Sequence, residues 1–131
     1  MNPSDEVRAE IHAMPIDGAP AEVVKHEFTL NMTPLKEATG VSGKDVAKRL
    51  LDYGYMAHTL YFPMNVTDCL MLEPTETESK EAIDQFADDF LHILSEDPEI
   101  VKTAPHNTPV KRVDEVWAAR NLILRHPIDE E

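Results

Sequence analysis

Three hydrophobic patterns in this chain predict an α+β domain in which a small antiparallel sheet of about three strands carries helices on one face. Alternation from Val23 to Leu30 indicates a half-buried strand. Thr59 to Phe62 and Cys69 to Leu72 are short apolar runs separated by turn-forming residues, the signature of an antiparallel hairpin. Apolar side chains recur at helical spacing in residues 44–52 and 83–94. The resulting order is β-α-β-β-α-α, and helices segregated to one side of a sheet define the α+β class.

Residues 1–21 contain Pro3, Pro15, Gly18 and Pro20 and one short helical candidate, Asp5 to Met14, which predicts a poorly packed flexible arm. The domain spans 22–125, and its first strand puts Val24, His26, Phe28 and Leu30 on one face. Thr33-Pro34 reads as a cap with proline at the first helical position, starting a short turn toward Gly40. Ser42 to Asp45 resembles a capping box for a second helix, with Val46, Ala47, Leu50 and Leu51 inside and Lys44, Asp45, Lys48, Arg49 and Asp52 free to stay in water; Gly54 ends it.

After the hairpin, Pro74 stops the last strand and Thr75 to Glu78 offers another capping box. The helix it opens has Ile83, Phe86, Ala87, Phe90, Leu91 and Leu94 as inner positions and is limited by Pro98. A loop from Pro105 to Pro109 leads to a last short amphipathic helix carrying Val113, Val116 and Trp117, and residues 126–131 form a frayed acidic tail.

Composition narrows the function classes. The 131 residues suffice for one core, and 42% hydrophobic with 28% charged side chains is globular. A formal charge of −13 repels phosphate backbones and anionic lipid, which argues against nucleic-acid and membrane partners. Cys69 is the only cysteine, so no intrachain disulfide forms, and MNPSDEVRAE lacks the basic and apolar regions of a secretory signal; both suggest a cytoplasmic protein. The sequons at Asn31-Met-Thr33 and Asn65-Val-Thr67 are accordingly read as chance matches.

The candidate chemistry is sparse. The six histidines lack the close spacings that bring two imidazoles to one metal, so no metal site is expected. His26 reads as a core residue and His92 as solvated, leaving His58 and His106 for functional scrutiny. Gly40 to Lys44 suggests a phosphate cradle, but Ala38 stands where a P-loop has its first glycine and Asp45 where it has Ser or Thr. A capped helix start is the simpler reading. Glu73, Glu76 and Glu78 could work as acids or bases and Tyr61 could donate a hydroxyl. First-turn acids are favoured by the helix dipole alone, which accounts for Glu76 and Glu78. Glu73, ending an apolar strand, calls for a partner. Cys69 reads as a buried apolar residue.

From His26 onward the chain resembles the C-terminal domain of the glycine decarboxylase P-protein, most closely subunit 2 of the two-subunit bacterial enzyme. The resemblance rests on His26-Glu-Phe28, Leu35-Lys-Glu-Ala-Thr-Gly-Val41, Asp45 to Gly54, Tyr61-Phe-Pro63, Leu70 to Glu81, Ala104-Pro-His-Asn-Thr-Pro109, Arg112 to Val116 and Ala118-Ala-Arg120, in collinear order. It implies the small C-terminal domain of a fold-type I pyridoxal-phosphate enzyme that decarboxylates glycine and passes the aminomethyl group to the lipoyl arm of the H-protein. The cofactor is the electron sink for the resulting carbanion.

In that family the Schiff-base lysine and most of the phosphate cradle belong to the large domain, and none of Lys25, Lys36, Lys44, Lys48, Lys80, Lys102 or Lys111 has the matching context. The resemblance therefore implies a chain that binds no cofactor and is inactive alone, with the large domain, other P-protein subunits or a second copy as partners. It leaves Thr59, Tyr61, Phe62, Glu73, His58 and His106 as site-facing candidates. Tyr61 to Pro63 and Glu73 are expected to form one strand-end surface toward the cofactor domain. One departure stands out: the family loop that reads glycine, aromatic, histidine is Gly54-Tyr-Met-Ala-His-Thr59 here, so the family histidine's role does not transfer to His58. A non-catalytic module docking on a P-protein or another partner is the alternative, and an unrelated small enzyme using Glu73 with His58 or His106 is a third reading.

Overall fold

The computed structural model describes residues 27–56, 58–62, 64–74 and 76–125. The arm 1–21, the strand start at 22–26 and the tail 126–131 lie outside them. Along the described chain run β1 (Phe28–Asn31), α1 (Thr33–Thr39), α2 (Gly43–Asp52), β2 (Thr59–Leu60), β3 (Cys69–Leu72), α3 (Lys80–Ser95), α4 (Pro98–Thr103) and α5 (Glu115–Arg120). The sheet has the order β1-β3-β2 and both pairings are antiparallel, as the α+β reading predicts.

Strand alternation decides what the sheet buries. The register Phe28↔Leu72, Leu30↔Leu70 and Leu60↔Leu70 puts one set of apolar side chains on the same face. That face packs on Val46 and Leu50 of α2 and on Phe90, Ile93 and Leu94 of α3, with Leu35, Val41 and Val101 completing the core. The stripe of α2 follows the predicted spacing, with Val46, Ala47 and Leu50 buried and Leu51 half-buried. Deleting a fully buried leucine such as Leu50 removes both transfer energy and packing, at a cost of about 2–5 kcal/mol.

Several boundaries depart from expectation. Thr33 is the first residue of α1 rather than its cap; the Asn31 side chain accepts its N–H at 3.0 Å. The capping box of α2 is present as predicted, with Ser42 Oγ accepting the Asp45 N–H and the Asp45 carboxylate accepting the Ser42 N–H at 2.9 Å. Gly54, at φ +87°, follows the helix and donates to Leu51 O, the expected stop.

Strand β2 is two residues long, not four, because Tyr61 takes φ +60° and turns the chain out of the ladder. Helix α3 starts at Lys80 under a Ser79 cap rather than directly after Glu78, and Glu76 and Glu78 are exposed ahead of it; Thr75, the cap expected from the sequence, lies outside the described residues. Its N-terminal half is exposed too: Ile83 and Ala87 face water, and Ile93 takes the inner place. Pro98 opens α4 rather than closing α3. Asp97 caps it by accepting the Glu99 N–H at 2.9 Å, and proline at the first position costs no hydrogen bond.

Asp68 is a buried charged side chain of the core, 2% exposed. Both its oxygens accept the Gly43 N–H at the start of α2, at 3.1 and 3.3 Å, and its backbone carbonyl accepts the Met32 N–H at 2.7 Å. The positive end of α2 and the Lys36 ammonium, 3.9 Å away, offset its charge. Glycine is required at 43 by proximity: a Cβ there would stand 3.0 Å from Asp68 Oδ1 and 3.0 Å from Met32 Cγ. Asp68→Ala is expected to cost about 1–3 kcal/mol by leaving a buried N–H without its acceptor. Asp68→Asn should cost less, and urea unfolding followed by circular dichroism measures the difference.

Candidate functional site

The densest cluster of interacting polar groups lies where α2, the α3–α4 junction and the loop after α4 converge. Arg49 projects from the last turn of α2, and its guanidinium grips Glu96 bidentately, Nε to Oε2 at 2.8 Å and Nη2 to Oε1 at 2.7 Å. Its remaining nitrogen donates to Asp52 Oδ2 at 2.9 Å and lies 3.3 Å from His106 Nδ1. The Tyr53 hydroxyl donates to Glu96 Oε1 at 3.0 Å, and the Tyr53 ring lies under the guanidinium, 5.2 Å from centroid to Cζ.

Asp52 faces the other way, its Oδ1 accepting the backbone N–H of both His106 and Asn107 at 2.6 Å each. The loop that begins with the cis Ala104–Pro105 bond is thus fastened to α2 by one carboxylate. His106 Nε2 lies 3.0 Å from Thr103 Oγ1.

Electrostatics follow from this geometry. The Glu96 hydrogen bonds lift Arg49 further above its already high pKa, against an opposing effect of burial. The same bonds hold the Glu96 carboxyl below the usual range. Burial works to raise Asp52, but the Asn107 and His106 amides and the Arg49 guanidinium outweigh it, so this carboxyl is also lowered. The Asp52 side chain is 1% exposed, which overturns the expectation that Arg49 and Asp52 stay in water. A helical wheel marks both as outer positions; the surface covering them comes from residues more than 40 positions downstream.

The six sequence candidates do not form one site. Tyr61 N donates to Cys69 O at 3.4 Å, beside the start of β3, whereas Glu73 leaves its far end. Four strand residues separate the two, roughly 13 Å at 3.3 Å per residue. The strand-end surface expected from Tyr61 to Pro63 and Glu73 is therefore two surfaces. His58 and Thr59 adjoin the Glu73 end by register, since Thr59 pairs with Met71. Thr59, Tyr61, Phe62 and Glu73 are exposed, and the Phe62 carbonyl accepts the Cys69 thiol. Burial pushes that thiol up, in keeping with an inert side chain.

The His58 ring is half-buried edge-on to Phe86, 5.2 Å between centroids; burial lowers its pKa, and its Nε2 has no hydrogen-bond partner among the described residues. Next to it Tyr55 donates to Asp89 at 2.6 Å, and burial together with that carboxylate raises its phenol to about 12. His106 belongs to the Arg49 cluster at the opposite end of α2 from Asp68.

A pyridoxal phosphate does not fit the described residues. The best-formed cavity measures about 10 Å³ between Leu35, Val41, Ile93, Pro98 and Val101, room for one water. Lys44 is held by Glu115, Lys80 by Asp84, Lys102 by Glu99 and Lys111 by the His106 carbonyl. The helix start read as a capped start rather than a phosphate cradle is filled by the Asp45 and Asp68 carboxylates, which reject an anion. No group of three metal-ligating side chains occurs among the described residues, and no described helix is long and apolar enough to cross a membrane.

Fold and site together define a small α+β domain braced by buried ion pairs. The chain belongs to the family described as glycine dehydrogenase, C-terminal domain, whose model matches residues 11–113. It is 53% identical over 117 residues to a protein of Exiguobacterium sibiricum named probable glycine dehydrogenase (decarboxylating) subunit 2, covering 86% of this chain and 24% of that relative. Proteins of the same name from Thiobacillus denitrificans and Shouchella clausii are 52% identical over 110 residues and 50% over 114, covering 82% and 85% of this chain and 23% of each relative. The chain spans about a quarter of the length of the relatives it matches.

Removing Arg49 should be costly because it leaves Asp52 and Glu96 buried without a counter-charge: Arg49→Met is expected to lose about 3–5 kcal/mol, with Arg49→Lys intermediate for want of a bidentate fork. Both carboxyls titrate lower in the folded than in the unfolded chain. Their stabilisation is therefore complete above the unfolded carboxylate pKa, about 4, and is lost as pH falls through the folded values. Thermal midpoints measured from pH 7 to pH 2 should drop steeply below about pH 4, and Glu96→Gln should flatten that drop while lowering the midpoint at neutral pH.

Proposed function

We propose that this chain works as the C-terminal domain of a pyridoxal-phosphate-dependent glycine decarboxylase, the P-protein of the glycine cleavage system, and is inactive alone. The observation that carries the proposal is that the chain spans about a quarter of relatives named as the decarboxylating enzyme's subunit 2. The three-quarters outside the match would supply the cofactor lysine and phosphate cradle that the resemblance assigns to the large domain. A second P-protein subunit and the lipoyl arm of an H-protein are the further partners that the family reading implies. This chain's own part is to complete the enzyme around a cofactor held elsewhere.

Of the site-facing candidates we assign His58, Thr59 and Glu73 to the side turned toward the reaction centre, because the sheet register gathers them at one end. The docking role raised as the alternative is, on this reading, the means by which the domain contributes rather than a separate function.

The test is a fusion in which this chain replaces the C-terminal quarter of the Exiguobacterium sibiricum subunit 2. With pyridoxal phosphate, subunit 1 and H-protein, the fusion should release labelled carbon dioxide from glycine and the isolated chain should release none above the blank. Glu73→Gln should lower the rate of the fusion about a hundred-fold, the low end of the scale for a positioned group that moves a proton, and Thr59→Val should lower it by less. Turnover by the isolated chain would refute the assignment.

A further inference from the structure

The segment from Val110 to Leu124 is amphipathic in the wrong sense for a free-standing protein: Lys111, Arg112 and Glu115 reach back to the domain while its large apolar side chains stay exposed. Val110, Val113, Val116, Trp117, Leu122, Ile123 and Leu124 are each 55–87% exposed. The polar residues among them do the anchoring. Arg112 pairs with Asp45 at 2.9 Å and donates to Lys102 O at 2.9 Å and to Ala104 O. Glu115 takes the Lys44 ammonium at 2.6 Å, and Lys111 donates to His106 O. Asp114 caps α5, its Oδ1 accepting the Trp117 N–H at 2.8 Å.

The strap is thereby fixed to α2 and to the loop after α4 by its charged groups, with its apolar groups displayed outward. Seven large apolar side chains, each more than half exposed within fifteen residues, mark a contact surface.

Two observations select the occupant. The curated relatives extend about four times the length of this chain, so the polypeptide outside the match is the largest surface available to cover the strap. The chain carries a formal charge of −13, which opposes association with a second copy. The strap itself holds Lys111, Arg112 and Arg120 against Asp114 and Glu115, a local excess of one positive charge, and Arg125 follows directly after it. We propose that the outward face of residues 110–124 is the seam on which the cofactor-bearing remainder of the enzyme packs, through an apolar surface rimmed with acidic side chains that meet Arg120 and Arg125. This rests on the reading of the chain as a decarboxylase domain and adds to it the surface used. The family model's match ends at residue 113, within the strap.

Amide hydrogen exchange compared between the isolated chain and the fusion described above tests the seam. Residues 110–124 are expected to exchange at least ten-fold more slowly in the fusion, and the pair Val116→Asp with Trp117→Asp should abolish that protection without altering the melting of the isolated chain. Protection gained at 56–64 and not at 110–124 would overturn the seam while leaving the domain assignment intact, whereas protection gained nowhere would overturn both. A concentration-dependent dimer of the isolated chain that the aspartate pair dissociates would make a second copy the occupant and reject the proposal. Should the fusion fail to fold, the same comparison between intact Exiguobacterium sibiricum subunit 2 and its excised C-terminal quarter decides the question at the equivalent positions.

Discussion

The bidentate grip of Arg49 on Glu96 is the interaction on which the rest of this small domain depends. Helix α2 lies at the centre: its apolar stripe packs on the sheet, its first turn caps on Asp68, and its last turn carries Arg49. Through Glu96 that arginine ties α2 to the α3–α4 junction, and through Asp52 the same turn holds the amides of His106 and Asn107. Segments that already share the apolar core through Leu50, Ile93 and Val101 are fixed in their mutual placement by a handful of charge-assisted hydrogen bonds. Such bonds are strong where water is partly excluded, and Asp52, Glu96 and Arg49 are all largely covered.

Glu96 illustrates how the constraint reaches outward. It ends α3, accepts from Tyr53 as well as Arg49, and stands just ahead of the Asp97 cap that starts α4. The loop after α4 then holds Ala104 O and His106 O where Arg112 and Lys111 donate to them, so the placement of the C-terminal strap descends from the same arginine. A polar framework of this kind fixes geometry more than it adds net stability, because desolvating the charges offsets much of their attraction. That suits the proposed role of a domain that completes a larger enzyme.

How much of this was legible in the sequence differs by element. The sheet order, the box at Ser42 to Asp45 and the stop at Gly54 are local: a few adjacent residues carry both the pattern and the partner. The family was legible as well, through runs such as Leu70 to Glu81 whose length leaves little to chance. Arg49, Asp52 and Glu96 were not, since their spacing on a helical wheel describes a solvated face, and only the fold brings up the residues that bury them. Asp68 was read simply as part of a turn, because its partner Gly43 lies 25 residues upstream. The strap was legible in part: the last short amphipathic helix was read from Val113, Val116 and Trp117 and is present at Glu115–Arg120, but apolar spacing alone does not say that these side chains stay exposed. For the site-facing candidates, residue type suggested a single surface, while strand direction separates Tyr61 from Glu73.

The left-handed turn at Tyr61 has a consequence for how the domain behaves in solution. A sheet edge is a row of unpaired donors and acceptors, and a long flat one invites a neighbouring molecule to extend it. By leaving the ladder at Tyr61, the chain limits β2 to Thr59 and Leu60, too short a template for cross-molecular strand pairing. Tyrosine pays for that turn with about 1–2 kcal/mol of backbone strain. What the molecule gains is resistance to fibrillar growth along this edge, whatever its apolar surfaces are doing elsewhere.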